Sequence, residues 1–268
     1  MRRRDPGSAR GLRLIYACYT LPGNLLRSLV FMRFRRKVMA ENSLKNALIE
    51  DFNAKTYVRF MGDDRVKFGI VRDLVSRDRL PKRICDLGCG DGKLGSMLIA
   101  AGHDVSGADI SEAALESARQ KGLRIFKVNL EDYRLPFRDG EFDAVTACEI
   151  IEHIYDTDRF LQEIRRILKP RGILVITTPN TVSLGRRICY LLGRGDFFEP
   201  SLSGESAGHI RYFVKGTLAD LLKSNGFKPE AFYSDLVNFT PSGSIRSRWL
   251  ARMFPALGGS LIMLAQKL

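Results

Sequence analysis

The 268-residue sequence has no apolar run approaching the roughly 18 residues that a membrane-spanning helix needs. A spanning helix is therefore excluded, and a soluble body is expected. Cysteine is scarce and unpaired in pattern: Cys18, Cys85, Cys89, Cys148 and Cys189 are an odd set without short paired spacings. A disulfide framework is thus not expected, and a reducing cytoplasm suits the chain. Only three histidines occur, His103, His153 and His209, so imidazole chemistry is confined to few places. No Ser or Cys nucleophile constellation and no internal repeat is present. Acidic residues are also short, 30 against 43 Lys and Arg, for a net charge of +13. That shortage is local. Residues 1–45 hold eleven Lys and Arg against only Asp5 and Glu41. A basic arm on a nearly balanced body suggests an anionic partner, either a membrane leaflet or nucleic acid. A solvated leader is the plain alternative. Arg2–Arg4 followed by Leu12–Leu21 faintly resembles a signal sequence, but Arg13 interrupts it and no small-residue cleavage site follows.

What is present divides the chain in two. Residues 1–41 read as a basic amphipathic arm, with Leu25, Leu26, Leu29, Val30 and Met32 near helical spacing among arginines. The pattern fits a helix lying in a membrane interface and equally a helix packed on the main domain. Residues 42–268 read as the main domain. Residues 42–80 look helical, with Phe68, Val71, Leu74 and Val75 on one face and Pro81 as the stop. From residue 83 short apolar strands alternate with helices: strands 84–87, 104–108, 124–128, 142–148 and 173–177, helices 93–101, 112–121 and 157–168. The last of these strands follows a Lys-Pro-Arg-Gly turn. Such alternation predicts an α/β fold, a mainly parallel sheet with helices on both faces and its ligand along the strand C-termini. Residues 180–209 read as a lid or substrate insertion. A helix is expected over 215–225. Strands over 227–239 and 260–267 are expected to form an antiparallel hairpin at the sheet edge.

The strongest local signal is Ile84-Cys85-Asp86-Leu87-Gly88-Cys89-Gly90-Asp91-Gly92. Glycines after a strand permit a tight turn and a close backbone approach to a ligand. The spacing is Gly-x-Gly-x-Gly and differs from the Gly-x-Gly-x-x-Gly that seats a pyrophosphate. Asp86 ahead of it suits a ligand bearing an ammonium. One βα unit later the second strand ends in Asp109, where a carboxylate can accept both hydroxyls of a ribose. Ser111 supplies the helix cap that Asp109 would otherwise provide.

From about Arg83 onward the chain resembles the class I S-adenosylmethionine (SAM)-dependent methyltransferases. The matching pieces are ICDLGCGDGKLG, VSGADIS, NLEDYRLPFRDGEFDAV, CEIIEHI, ILKPRGILVITTPN and GHIRYF. The resemblance implies a Rossmann-like seven-stranded sheet, SAM as cofactor, and Asp86, Gly88 and Gly90 around its methionine part. It implies ribose binding by Asp109 and adenine contacts from Asn129 and Leu130, with Cys89, Ile110 and Glu149 also in the cofactor site. Many relatives carry Asp where this chain has Asn129, and an amide can still hydrogen-bond adenine.

Glu149-Ile150-Ile151-Glu152-His153 closes the fourth strand. If the chain turns helical there, Glu149, Glu152 and His153 share a face (i, i+3, i+4). With His209 they offer a divalent-cation site, for Mg or Zn, that would acidify a substrate hydroxyl. This resembles the Glu-x-x-Glu-His…His arrangement of ubiquinone-pathway O-methyltransferases and plant small-RNA 2′-O-methyltransferases. Without a metal, His153 would be a general base, with Glu152 and Glu149 beside it. A helix start with acidic residues at its dipole is the structural alternative. The Asn/Asp-Pro-Pro-Tyr/Phe motif of amino-directed DNA methyltransferases is absent. An oxygen acceptor is expected, on a small molecule or a lipid-linked, quinone-like or glycan compound reached from a membrane surface. An RNA acceptor is disfavoured, since no recognisable RNA-binding module precedes the domain. A SAM-binding protein without turnover is the remaining alternative.

Overall fold

The computed structural model describes residues 64–132, 134–193, 208–239 and 245–268. The arm expected over 1–41, residues 42–63 of the helical stretch and 194–207 of the insertion lie outside the described residues. The first described helix, α1 (Arg65–Val75), buries Val71, Leu74 and Val75, and Lys67 with them. It stops before Pro81 is reached. The Leu80 N–H donates to Asp78 Oδ1 at 3.1 Å and Arg79 takes φ +59, so a local side-chain turn replaces the last helical turn.

There follow β1 (Arg83–Leu87), α2 (Lys93–Ala100), β2 (Asp104–Asp109), α3 (Glu112–Gln120), β3 (Arg124–Lys127) and β4 (Phe142–Cys148). A single 3-10 turn, Ile151–His153, leads to α4 (Thr157–Ile167), β5 (Leu168–Pro179), α5 (Leu184–Leu191) and α6 (Lys215–Ser224). The chain closes with β6 (Phe227–Tyr233), β7 (Val237–Asn238), β8 (Arg246–Ser247), α7 (Arg248–Met253) and β9 (Ser260–Lys267). The seven-stranded sheet runs β3-β2-β1-β4-β5-β9-β6, and β7 pairs with β8 apart from it.

Period-2 alternation divides the sheet's side chains between two apolar layers. Cys85, Leu87, Val145, Leu174 and Ile176 face α4 and α6 through Phe160, Leu161, Ile164, Leu218 and Leu222. Ile84, Ala144, Ile173 and Val175 face α1, α2 and α3 through Val71, Leu74, Leu94, Leu98 and Leu115. Both faces are covered, which is why the parallel strands read as continuous apolar runs.

One expectation needs correction. Lys169–Gly172 is not a free turn between helix and strand. Leu168 already pairs with Phe142, and pairing resumes at Ala144 and Ile173 after a register shift. The four residues form a bulge, in which Arg171 takes φ +62. The last two main strands pair antiparallel at the sheet edge as expected, with short elements between them in the chain. β9 is antiparallel to both β5 and β6, and β7, β8 and α7 intervene in the chain. The continuously apolar β9 is an inner strand, whereas β6, with exposed residues along its length, is the edge.

The return to β9 is pinned by a buried amide. Asn180 Nδ2 donates to the carbonyls of Ala256 (3.0 Å) and Gly258 (2.8 Å), and Oδ1 accepts from the Val182 N–H. Asn180→Ala strands the buried Gly258 carbonyl and the partly exposed Ala256 carbonyl and should cost about 2 kcal/mol, measurable as a lower urea midpoint with an unchanged m-value.

Candidate active site

The C-terminal ends of β1, β2, β4 and β5 converge on one sheet edge, and the sequence-predicted residues collect there. After β1 the chain turns through Gly88, Gly90 and Gly92, all at positive φ. Gly88 admits no side chain, because a Cβ would lie 2.1 Å from Ile150 Cδ1. The N–H groups of Gly88 and Cys89 donate to the Ala108 carbonyl at 2.7 and 3.2 Å, tying the loop to β2. Gly90 N–H donates to Asp109 Oδ2, and Ser111 N–H to Asp109 Oδ1, both at 2.9 Å. The Asp109 carboxylate is thereby fixed against the loop at the end of β2. Ser111 caps α3 as expected. Cys89 turns its thiol inward against Gly107, within 3.7 Å of the Gly90 carbonyl to which it donates. Ile110 is half-buried beside it. Asn129 Oδ1 accepts the Glu131 N–H at 3.0 Å, which makes it a turn residue, and Leu130 packs partly on the core.

Asp86 is buried and accepts a 2.7 Å hydrogen bond from Thr146 Oγ1 across the β1–β4 pair. Burial pushes its carboxyl up to about 7; the Thr146 hydrogen bond opposes this and the Asp109 charge adds to it. A cationic group beside Asp86 would reverse that cost. Thr146 was invisible as a site residue in the sequence, where it is one more strand position.

Glu149 is not on a helical face with Glu152 and His153. It precedes the 3-10 turn, at φ +56, a conformation that costs a non-glycine residue about 1–2 kcal/mol. Thr177 compensates by accepting the Glu149 N–H at its carbonyl (3.0 Å) and by donating Oγ1–H to Glu149 Oε1 (2.8 Å). Lys67 Nζ stands 3.3 Å from the same Oε1 and 3.1 Å from Asp64. Burial alone would depress the Lys67 ammonium, but Glu149, Asp64 and Asp235 outweigh it and raise it. The sequence hid Lys67 as well, since a lysine on an amphipathic helix reads as solvent-facing.

Beyond Glu149 stand Glu152, His153 and His209, whose ligand atoms all lie within 4.8 Å of one another. Glu149 is not in that group. Glu152 is 1% exposed, and neither carboxylate oxygen has a well-formed hydrogen bond, although the buried Thr178 hydroxyl stands beside it. Burial, then the charge of Glu149, push the Glu152 carboxyl well up. His209 Nε2 lies 4.0 Å from Glu152 Oε1, and the two imidazole rings are 4.9 Å apart. His153 Nδ1 is 3.2 Å from the Gly208 carbonyl, which can only accept, so the neutral ring carries its proton there and its lone pair on Nε2. The Glu152 carbonyl accepts the Ile210 and Arg211 N–H groups, and the Arg211 guanidinium grips the Ile154 and Tyr155 carbonyls. Those bonds hold the Gly208–Phe213 segment against the turn. His103 is elsewhere, between the Ser76 hydroxyl and the Lys82 N–H. A recess of about 280 Å³ at the opposite sheet edge is lined by Arg77, Asp78, Lys82, Asp143 and Lys169. Its charges pair within themselves or with Glu230, and it is no part of this site.

Residues 85–176 match the profile of a methyltransferase domain. That segment is a methyltransferase domain, and the chain around it is similar to SAM-dependent methyltransferases. A "Probable S-adenosylmethionine-dependent methyltransferase" of Mycolicibacterium smegmatis is 27% identical over 179 residues, 67% of this chain and 61% of that protein. A ubiquinone biosynthesis O-methyltransferase of Thiobacillus denitrificans is 37% identical over 105 residues, 37% of this chain and 45% of that one. This chain thus spans about half the length of the curated relatives it matches. The solved 1,6-didemethyltoxoflavin-N1-methyltransferase of Burkholderia thailandensis shares the fold, with a TM-score of 0.56 and 17% identity, covering 84% of this chain and 89% of that one.

Two predictions follow from the buried charges of this domain. The Asp86 carboxyl is raised on folding, so the stability of its neutral form is complete below about pH 4 and lost as pH rises through about 7. The urea midpoint should fall between pH 5 and pH 8, less steeply in Asp86→Asn, while calorimetry finds SAM binding tightening over that interval only in the unsubstituted protein. Lys67→Met should destabilise by about 2 kcal/mol, less than for a fully buried pair because Glu149 is partly exposed. Adding Glu149→Gln to that variant should restore part of the loss.

Proposed function

We propose that this chain transfers the SAM methyl group to an oxygen acceptor, with a divalent cation held by Glu152, His153 and His209. The observation that carries this reading is the Glu152 carboxylate, buried beside two imidazoles with no well-formed hydrogen bond and only the Thr178 hydroxyl near it. A buried charge lacking partners costs several kcal/mol, and a cation there would offset it. The donor set fits: one carboxylate, two imidazoles, and a backbone carbonyl orienting His153 as a metal-bound ring is usually oriented. Three protein ligands leave positions open for an acceptor oxygen. Glu149, committed to Thr177 and Lys67, is the wall between this group and the cofactor loop and not a fourth ligand.

SAM supplies an already activated methyl, so the protein's task is alignment and removal of one proton. Asp86 and the Gly88–Gly90 loop would hold the methionine part, Asp109 with Ile110 the ribose, and Asn129 with Leu130 the adenine. A cation on Glu152, His153 and His209 would lower the pKa of an acceptor hydroxyl. The partial likeness to a ubiquinone biosynthesis O-methyltransferase supports a hydroxyl on a small or lipid-linked molecule.

The test is methyl transfer from labelled SAM by the full chain to a lipid extract and to total RNA, with and without EDTA. Label in the lipid fraction, lost with EDTA, restored by Mg or Zn and absent in Glu152→Gln, is the expected result. Activity indifferent to EDTA but lost in His153→Ala assigns His153 as a metal-free base. Label in RNA alone overturns the acceptor class, and SAM binding with no label anywhere overturns turnover.

A further inference from the structure

The run Ile245–Phe254 forms a surface that the site does not use. β8 leads into α7, whose Ala251 is buried, so the helix is seated with its other sides outward. Exposed there are Ile245 (61%), Trp249 (66%), Met253 (57%) and Phe254 (53%). Trp249 and Met253 lie one helical turn apart on one face, and Phe254 follows directly. Arg246, Arg248 and Arg252 are exposed among them. No Asp or Glu occurs anywhere after Asp235. Among the described residues these three arginines make no ion pair.

Large apolar side chains left in water together mark a surface that something covers. Interleaved arginines without a single acid specify what. A purely apolar partner would leave the guanidinium groups unmatched, and an acidic one would leave Trp249, Met253 and Phe254 unmatched. Lipid with anionic headgroups satisfies both at once, phosphate for the arginines and acyl chain for the apolar tips. We infer that Ile245–Phe254 docks on an anionic lipid surface. The docking is peripheral, since no helix among the described residues is long and apolar enough to cross a membrane.

The position of the patch gives it a use. The residues after α7 are bonded to Asn180 through the Ala256 and Gly258 carbonyls, and Ser260 pairs with Pro179 at the end of β5. That is the end of the strand from which the site is built. Docking would therefore turn the site's edge of the sheet toward the bilayer. Entry of a lipid-linked acceptor from that side rests on the proposed function; the docking itself does not.

Trp249 is the chain's only tryptophan and reports on the patch directly. Full-length protein is titrated with vesicles of phosphatidylcholine alone or mixed with phosphatidylglycerol. The expected result is a blue shift of tryptophan emission with the anionic vesicles only, quenched by lipids brominated near the headgroup end of the acyl chain. Replacing Arg246, Arg248 and Arg252 together by Gln should weaken that binding on the order of a hundredfold, with SAH affinity unchanged as the control for folding. Sedimentation with vesicles while the emission stays unshifted means that another region binds, and overturns the assignment. A blue shift that grows with protein concentration in the absence of lipid assigns the patch to a second copy of the chain and also overturns it. Neither readout needs turnover, so failed docking and failed methyl transfer are separate results.

Discussion

At the end of β4 the chain must leave the sheet without abandoning its hydrogen bonds, and Glu149 is where it does so. The residue adopts a left-handed backbone, and its N–H and carboxylate are both taken up by Thr177 on the neighbouring strand. Only because that turn is tight does the following 3-10 turn begin at Ile151 and set Glu152 and His153 at the sheet edge. Ile150, inside the same turn, fills the space that a side chain at position 88 would need. The glycine loop and the Glu152–His153 turn are therefore shaped by one piece of backbone, and a change in either is felt by the other.

Around that turn the structure gathers charge where water is scarce. Asp86, Lys67 and Glu152 are all buried at or beside one edge, and each is handled differently. Asp86 is held by a neighbouring hydroxyl and Lys67 by two carboxylates, whereas Glu152 has the Thr178 hydroxyl beside it without a well-formed hydrogen bond. Strained backbone and incompletely partnered polar groups at one edge are the usual mark of a site whose ligands complete it. The interior of the same domain shows the opposite economy: its two apolar layers are divided cleanly by strand alternation.

Much of this was legible in the sequence, and the exceptions have physical causes. Strand and helix positions from Arg83 onward follow from apolar runs punctuated by glycine, because both sheet faces are buried and leave no ambiguity of period. The glycine loop, Asp109, Glu152, His153 and His209 are visible because such residues at strand ends have few other uses. Lys67 was not visible, because amphipathic spacing assigns a lysine to water, and the carboxylates of Glu149 and Asp235, distant in sequence, act with the local Asp64 to draw it inward. Thr146 and Thr177 act from inside strands, where a β-branched residue needs no explanation. The expected shared helical face of Glu149, Glu152 and His153 failed on a backbone angle that spacing does not encode. The antiparallel pair expected at the C-terminal edge is there, but the short elements β7, β8 and α7 inside its connection left no apolar period to read.

The place of β9 in the sheet has a consequence for how the domain comes into being. It is inserted between β5 and β6, yet the ribosome makes it after every other strand of that sheet. Until it emerges, β5 offers an apolar strand with unpaired backbone groups, and β6 with α6 has no sheet to join. The nascent domain thus carries an open seam through its middle for the whole time that β6 to α7 are being made, a natural point for a chaperone to guard.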